Sequence, residues 1–260
     1  MSDSALSKVK RASKHIRELT NLLNEKPPFR YILETNTITN QRATISKKNE
    51  AVIQDLRDIA GDAIHNLRAA LDHAYFDIVS PFAVGERGIK SVQFPFSINA
   101  NKFKTAAENR LAHKVSTSFF TAIKTLKPYG EDGGNEILYL VHELDALDKH
   151  RFPIPTADYK ILRGAEMQNL IPHFPFGVNS TIALSQNRRD IVWFAPVMAS
   201  ENIGHPIFPT TFMFEKDINV PVDIIFKVRG IGKPRAMVPT LNAMVDMTKH
   251  AIHVIREASS

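Results

Sequence analysis

The sequence predicts an α+β fold, and three observations carry that expectation. Apolar residues recur at helical spacing through most of the chain up to residue 155. Short β-branched and aromatic runs separated by turn residues follow, and helical spacing returns at the end. Helices set apart from a small antiparallel sheet are the packing that such an order allows. The expected division is a mainly helical part over 1–155, with a β-hairpin near 30–47, and antiparallel strands plus a terminal helix over 156–260. The two are expected to pack as one unit.

Each element has its own signal. Val9, Ile16, Leu19, Leu22 and Leu23 keep helical spacing over residues 5–25, and Pro27-Pro28 stops that helix. RYILETNTITNQRATISKK holds two β-branched runs around Thr39-Asn40-Gln41, which predicts the hairpin. A long helix follows from Glu50 and ends at Ser80-Pro81. SVQFPFS (91–97) reads as extended because proline and aromatics alternate in it. Asn99 or Asn101 can cap a helix running through Arg110, and another is expected over 114–126. Pro128-Tyr129-Gly130 and Gly133-Gly134 mark a loop, after which Asn135 caps a helix closed by Arg151-Phe152-Pro153. STIALSQ, DIVWFAPV, TTFMFE and PVDIIFKV read as antiparallel strands, and PTLNAMVDMTKHAIHVIREA as a terminal helix packed on their sheet.

Composition narrows the classes of function. The 260 residues carry a formal charge of +6, a tilt towards anionic partners such as nucleic acid or phosphorylated ligands. There is no cysteine, so disulfides, thiolate metal sites and cysteine nucleophiles are excluded. No stretch approaches the ~18 apolar residues of a membrane span, and the N-terminus lacks the apolar segment of a secretory signal. A soluble cytoplasmic protein is expected.

Two segments concentrate the ionisable residues: HNLRAALDH (65–73) and HELDALDKHR (142–151). At about 100° per residue, His65, Asn66, Arg68, Asp72, His73 and Asp62 share one arc of about 160°. Leu56, Ile64, Leu67, Leu71 and their neighbours fill the opposite arc. In the second helix Tyr139, His142, Glu143, Asp145, Lys149 and His150 share one side. Asp148 lies at the edge of the apolar side, where a carboxylate requires a partner, and Arg68 and Arg151 are its candidates. Solvated faces favour Lys and Glu, whereas these faces carry shorter His, Asp, Arg and Asn, groups suited to fixed hydrogen bonds. Two helices facing each other across one polar site would explain the pattern.

Three uses fit such a set. Histidines that move protons beside cations that hold phosphate would cleave RNA through its own 2′-hydroxyl, with no metal or side-chain nucleophile. A divalent metal could instead sit between Asp62/His65 and His142/Asp145, although Arg68 and Lys149 would repel it. The third use is structural: a salt-bridge network or dimer interface, in an interaction or ligand-binding protein without catalysis.

Arg68-Ala69-Ala70-Leu71-Asp72-His73 is an R-x4-H arrangement and resembles the signature of the HEPN superfamily, helical domains that often act as metal-independent endoribonucleases in toxin–antitoxin and antiviral systems. The order HNLRAALDH, FPF, HELDALDKHR also looks like that of a group of bacterial proteins, over residues 55–152. The resemblance implies a HEPN-like helical bundle, a homodimer and RNA or another phosphate-bearing ligand as partner, with no cofactor and no metal. It implies Arg68 as phosphate binder and His73 as proton-transfer group, with Asp72, Asp148 and His150 orienting them. His65 completes the expected catalytic set, and Asn66, Asp148, Lys149 and Arg151 the substrate-binding one.

Overall fold

The structure, a computed structural model, describes residues 4–36, 41–131, 133–149, 156–157, 161–170, 177–183, 189–194, 213–218, 225–226 and 235–259. The chain forms two compact units, each assembled from separate stretches. One comprises residues 1–22, 55–156 and 226–260, the other residues 23–54 and 157–225.

The first unit is helical. Helix α1, Ser4–Glu25, buries Ala5, Val9, Ala12, Ile16 and Leu19, the single stripe that its spacing requires. Helix α2, Glu50–Val79, is capped where Val52 N donates to Asn49 Oδ1 at 3.3 Å. It gives way at Ser80–Phe82 to one 3-10 turn with a proline in it, since Pro81 cannot continue the α-helical ladder. Leu56, Ala60, Ala63, Ile64, Leu67, Ala70, Leu71 and Ala74 of its apolar arc are buried.

After a short helix α3, Gly85–Ser91, which the spacing did not announce, the chain runs extended through Val92–Phe96. Helix α4, Ala100–Asn109, starts at Asn99, whose side chain accepts from Lys102 N. The helix expected over 114–126 is broken in two, α5 (Ala112–Val115) and α6 (Thr117–Thr125). The break falls at Ser116, whose hydroxyl accepts from Phe119 N and so starts a new helix. Helix α7, Glu136–Lys149, is capped by Asn135, which accepts from Leu138 N at 3.0 Å. The preceding loop holds Gly130 against the Tyr139 ring, where any Cβ would collide with it.

The second unit holds the sheet. Strands β1 (Phe29–Asn36) and β2 (Gln41–Lys48) pair antiparallel, Phe29 opposite Lys48 and Asn36 opposite Gln41. The expected turn at Thr39-Asn40 lies outside the described residues. Two-residue β3 (Thr156–Ala157) precedes β4 (Ile161–Arg163), helix α8 (Gly164–Leu170) and β5 (Thr181–Ala183), and β5 pairs with β4. Strands β6 (Arg189–Phe194) and β7 (Met213–Ile218) flank the hairpin in the order β6-β2-β1-β7, all antiparallel.

Two-residue strands β8 (Ile225–Phe226) and β9 (Arg235–Ala236) lead to helix α9, Met237–Glu257. Helix α9 packs on α6 and α7. Asn135 reaches Met247 Sδ at 3.1 Å, and Arg235 pairs with Glu136.

The division therefore does not follow the sequence order expected at 155/156. The hairpin joins the later strands because its two edges offer unpaired backbone that strands β6 and β7 fill. The terminal helix joins the helices rather than the sheet. Its buried stripe of Leu241, Met244, Val245, Thr248, Ala251, Ile252 and Ile255 is a helix-facing surface. Among the described residues, no helix is long and apolar enough to cross a membrane.

Candidate functional site

Helices α2 and α7 do turn ionisable side chains towards each other. His65 Nδ1 of α2 lies 3.0 Å from Asp145 Oδ1 of α7. The two ends of this bond live in different surroundings: the His65 side chain is 51% exposed and that of Asp145 only 5%. A carboxylate can only accept, so Nδ1 donates in this bond and, in the neutral ring, Nε2 is the acceptor.

One helical turn further along α2, Arg68 makes the opposite arrangement. Its Nη2 lies 3.0 Å from Asp72 Oδ1 and donates to Phe94 O at 3.3 Å. Asp72 Oδ1 in turn accepts from Phe94 N at 2.9 Å. Both backbone polar groups of Phe94 are thus satisfied by α2 side chains, which fastens the extended Phe94-Pro95-Phe96 segment to the helix. The Arg68 guanidinium stands 4.6 Å from the Phe96 ring centre, and the His142 imidazole stacks on the same ring at 4.8 Å, 6° from parallel. Phe96 therefore links the cation of α2 to an imidazole of α7.

Burial pushes the Arg68 guanidinium below its ordinary value, Asp72 and then Asp145 pull it back up, and Arg110 lowers it again. Arginine remains charged under such shifts. Its Nη1 is buried and has no hydrogen-bond partner among the described residues.

The other expected residues are placed elsewhere. His73 bonds through Nδ1 to Ser4 Oγ at 2.7 Å, in the first turn of α1. It lies five positions from Arg68, about 140° around the helix and about 7.5 Å along it, and the two engage different partners. Asn66 is buried and donates to Asp62 O of its own helix at 2.7 Å, so its amide is turned inward rather than offered to a ligand. Asp148 and Lys149 end α7, with side chains outside the described set. His150 and Arg151 also lie outside the described residues. Arg68, expected as a partner for Asp148, gives its bonds to Asp72 and Phe94 instead. Among the described residues no group of three or more His, Asp or Glu is placed to hold a metal ion.

No family model, curated protein or solved structure matches the chain. What it can do must be read from its own side chains. Ser4, and the backbone of the Phe94–Phe96 segment as a hydrogen-bonding partner, are parts of this region that sequence reasoning did not assign a role, and Asp145 was considered only as a metal ligand. Asp145 was legible, because it shares a helix face with His142. Ser4 and the peptide groups of Phe94 gave no signal, since a distant hydroxyl and a backbone amide have no pattern along the chain.

Proposed function

We propose that the protein is a metal-independent endoribonuclease whose helical unit is HEPN-like and whose proton-transfer group is His65, held by Asp145. The observation that carries this reading is the half-exposed imidazole bonded at 3.0 Å to a buried carboxylate. Such a pair fixes the tautomer, orients the ring and stabilises the imidazolium that forms when Nε2 takes a proton. On RNA, Nε2 would remove the 2′-hydroxyl proton. The O2′–P bond forms as the P–O5′ bond breaks, and the departing 5′-oxygen takes a proton from water or from an imidazolium. Arg68, buried and bonded to Asp72 and Phe94 O, would act on the phosphate through its fixed charge rather than by a direct bond. His73 is too far along α2, about 12 Å in rise from His65, to share that phosphate as its acid. Dimerisation and a role as toxin or antiviral effector belong to the same proposal and rest on the R-x4-H resemblance alone, and a cytoplasmic location rests on composition.

A second reading has its own support. Arg68 and Asp72 are committed to the backbone of Phe94, as a structural network in a non-catalytic ligand-binding or interaction protein would have them. Incubation of a fluorescently labelled RNA with the protein and with His65→Ala, both with a chelator present, separates the two. Cleavage by the parent that falls by about 10²–10⁴-fold in the variant supports the ribonuclease. No cleavage by the parent, or equal cleavage by both at matched stability, overturns it.

A further inference from the structure

We propose that the exposed face of α1 is a track for the phosphodiester backbone of single-stranded RNA. Lys10, Lys14 and Arg17 are exposed and spaced by four and three residues, and Arg11 stands exposed beside them. At about 1.5 Å of rise per residue they form a row about 10 Å long on one helix face. Lys14 alone of the four pairs with an acid, Glu18, at 3.6 Å. Among the described residues, Lys10, Arg11 and Arg17 have no ion-pair partner, so this face is a net cation.

The opposite stripe selects among anionic partners. Ala5, Val9, Ala12, Ile16 and Leu19 are buried in the protein, so α1 has no apolar face to insert into a lipid surface. Between Lys10 and Arg17 no aliphatic, Phe, Tyr or Trp side chain is exposed, and His15 is tied to Glu18 at 3.0 Å. The row therefore offers charge without stacking platforms, which suits a sugar–phosphate backbone and reads no bases. The first turn of α1, six residues before Lys10, is tied to α2 by the bond from Ser4 to His73. The choice of RNA rests on the ribonuclease reading, whereas the track itself requires only a flexible polyanion.

The test is fluorescence anisotropy with a labelled 2′-O-methyl RNA of about a dozen nucleotides, titrated at several salt concentrations. This probe has no nucleophile, so binding is read without cleavage. Combined Lys10→Gln, Lys14→Gln and Arg17→Gln should weaken binding about tenfold or more. The slope of log affinity against log salt should become shallower by about 2, at about 0.7 for each lost phosphate contact. The thermal midpoint should hold, because these side chains are exposed. Unchanged affinity and slope in the triple variant overturn the proposal, as does a parent that ignores the probe but binds vesicles rich in phosphatidylserine. A parent that binds the probe yet cleaves no RNA overturns the ribonuclease reading and leaves the track standing.

Discussion

Two side-chain pairings to a carboxylate lie one turn apart on α2 and are built in opposite senses. In the first, the titratable imidazole of His65 faces solvent and its carboxylate is hidden: 51% against 5% exposure. In the second, the fixed cation of Arg68 is hidden and its carboxylate, Asp72, is the more open partner, 9% against 27%. The first arrangement leaves a proton-accepting nitrogen within reach of an outside molecule. The second spends its hydrogen bonds on the backbone of Phe94. The same helix face thus carries one group placed to act and another placed to hold, and residue type alone does not separate them.

Substitutions can break this contrast. The largest effect on stability is expected from Arg68→Ala, a loss of about 3 kcal/mol in denaturant unfolding. It strips Asp72 of its cation and Phe94 O of its donor. A change under about 1 kcal/mol would show that Arg68 holds nothing. Next comes Phe96→Ala, which removes the ring shared by Arg68 and His142 and should cost about 2 kcal/mol. A smaller loss, about 1 kcal/mol, is expected for Asn135→Ala, which removes the cap of α7 while leaving the pairings of His65 and Arg68 in place.

At neutral pH the smallest effect belongs to Tyr75 and Tyr139, whose phenols are not ionised there. Burial pushes both above their ordinary value, and at Tyr139 the hydrogen bond with Glu143 adds to it. Above about pH 10 the unfolded chain gives up these protons while the folded one keeps them, so stability falls as pH rises. Chemical denaturation at about pH 9 and about pH 11 should show the decline. Phenolate absorbance, compared with Tyr75→Phe and Tyr139→Phe variants, should find these two phenols titrating only with unfolding. Stability that stays flat, with the Tyr75 and Tyr139 phenols titrating in the folded protein, would contradict the burial assigned to them.

Helices α1, α2, α4, α7 and α9 were legible because each has a local signature, whereas short α3 and α8 were not announced. Asn99 and Asn135 announce caps, Pro81 announces an end, and the apolar arc of α2 announces its buried side. The partners of those helices were not, since spacing along one helix says nothing about the azimuth of another. That α9 would pack on α6 and α7 is a matter of shape between surfaces distant in sequence. At the candidate site the wheel placed His65, Arg68 and Asp72 on one face correctly. It could not tell that Asn66 turns back to Asp62 O, or that His73 meets Ser4, because both depend on a few tens of degrees and on a neighbour. Motif spacing joined Arg68 to His73. Packing joined Arg68 to the FPF segment and His65 to α7.

The coupling between His65 and Asp145 in RNA cleavage tests the central claim most directly. His65→Ala, Asp145→Asn and the double variant, compared with the parent in one assay, form a complete cycle. If the two side chains work as a unit, the double variant should be no slower than His65→Ala alone, because the carboxylate acts only through the imidazole. Losses that multiply, or an Asp145→Asn protein that cleaves as fast as the parent, would mean that the 3.0 Å bond between α2 and α7 serves only to hold them together.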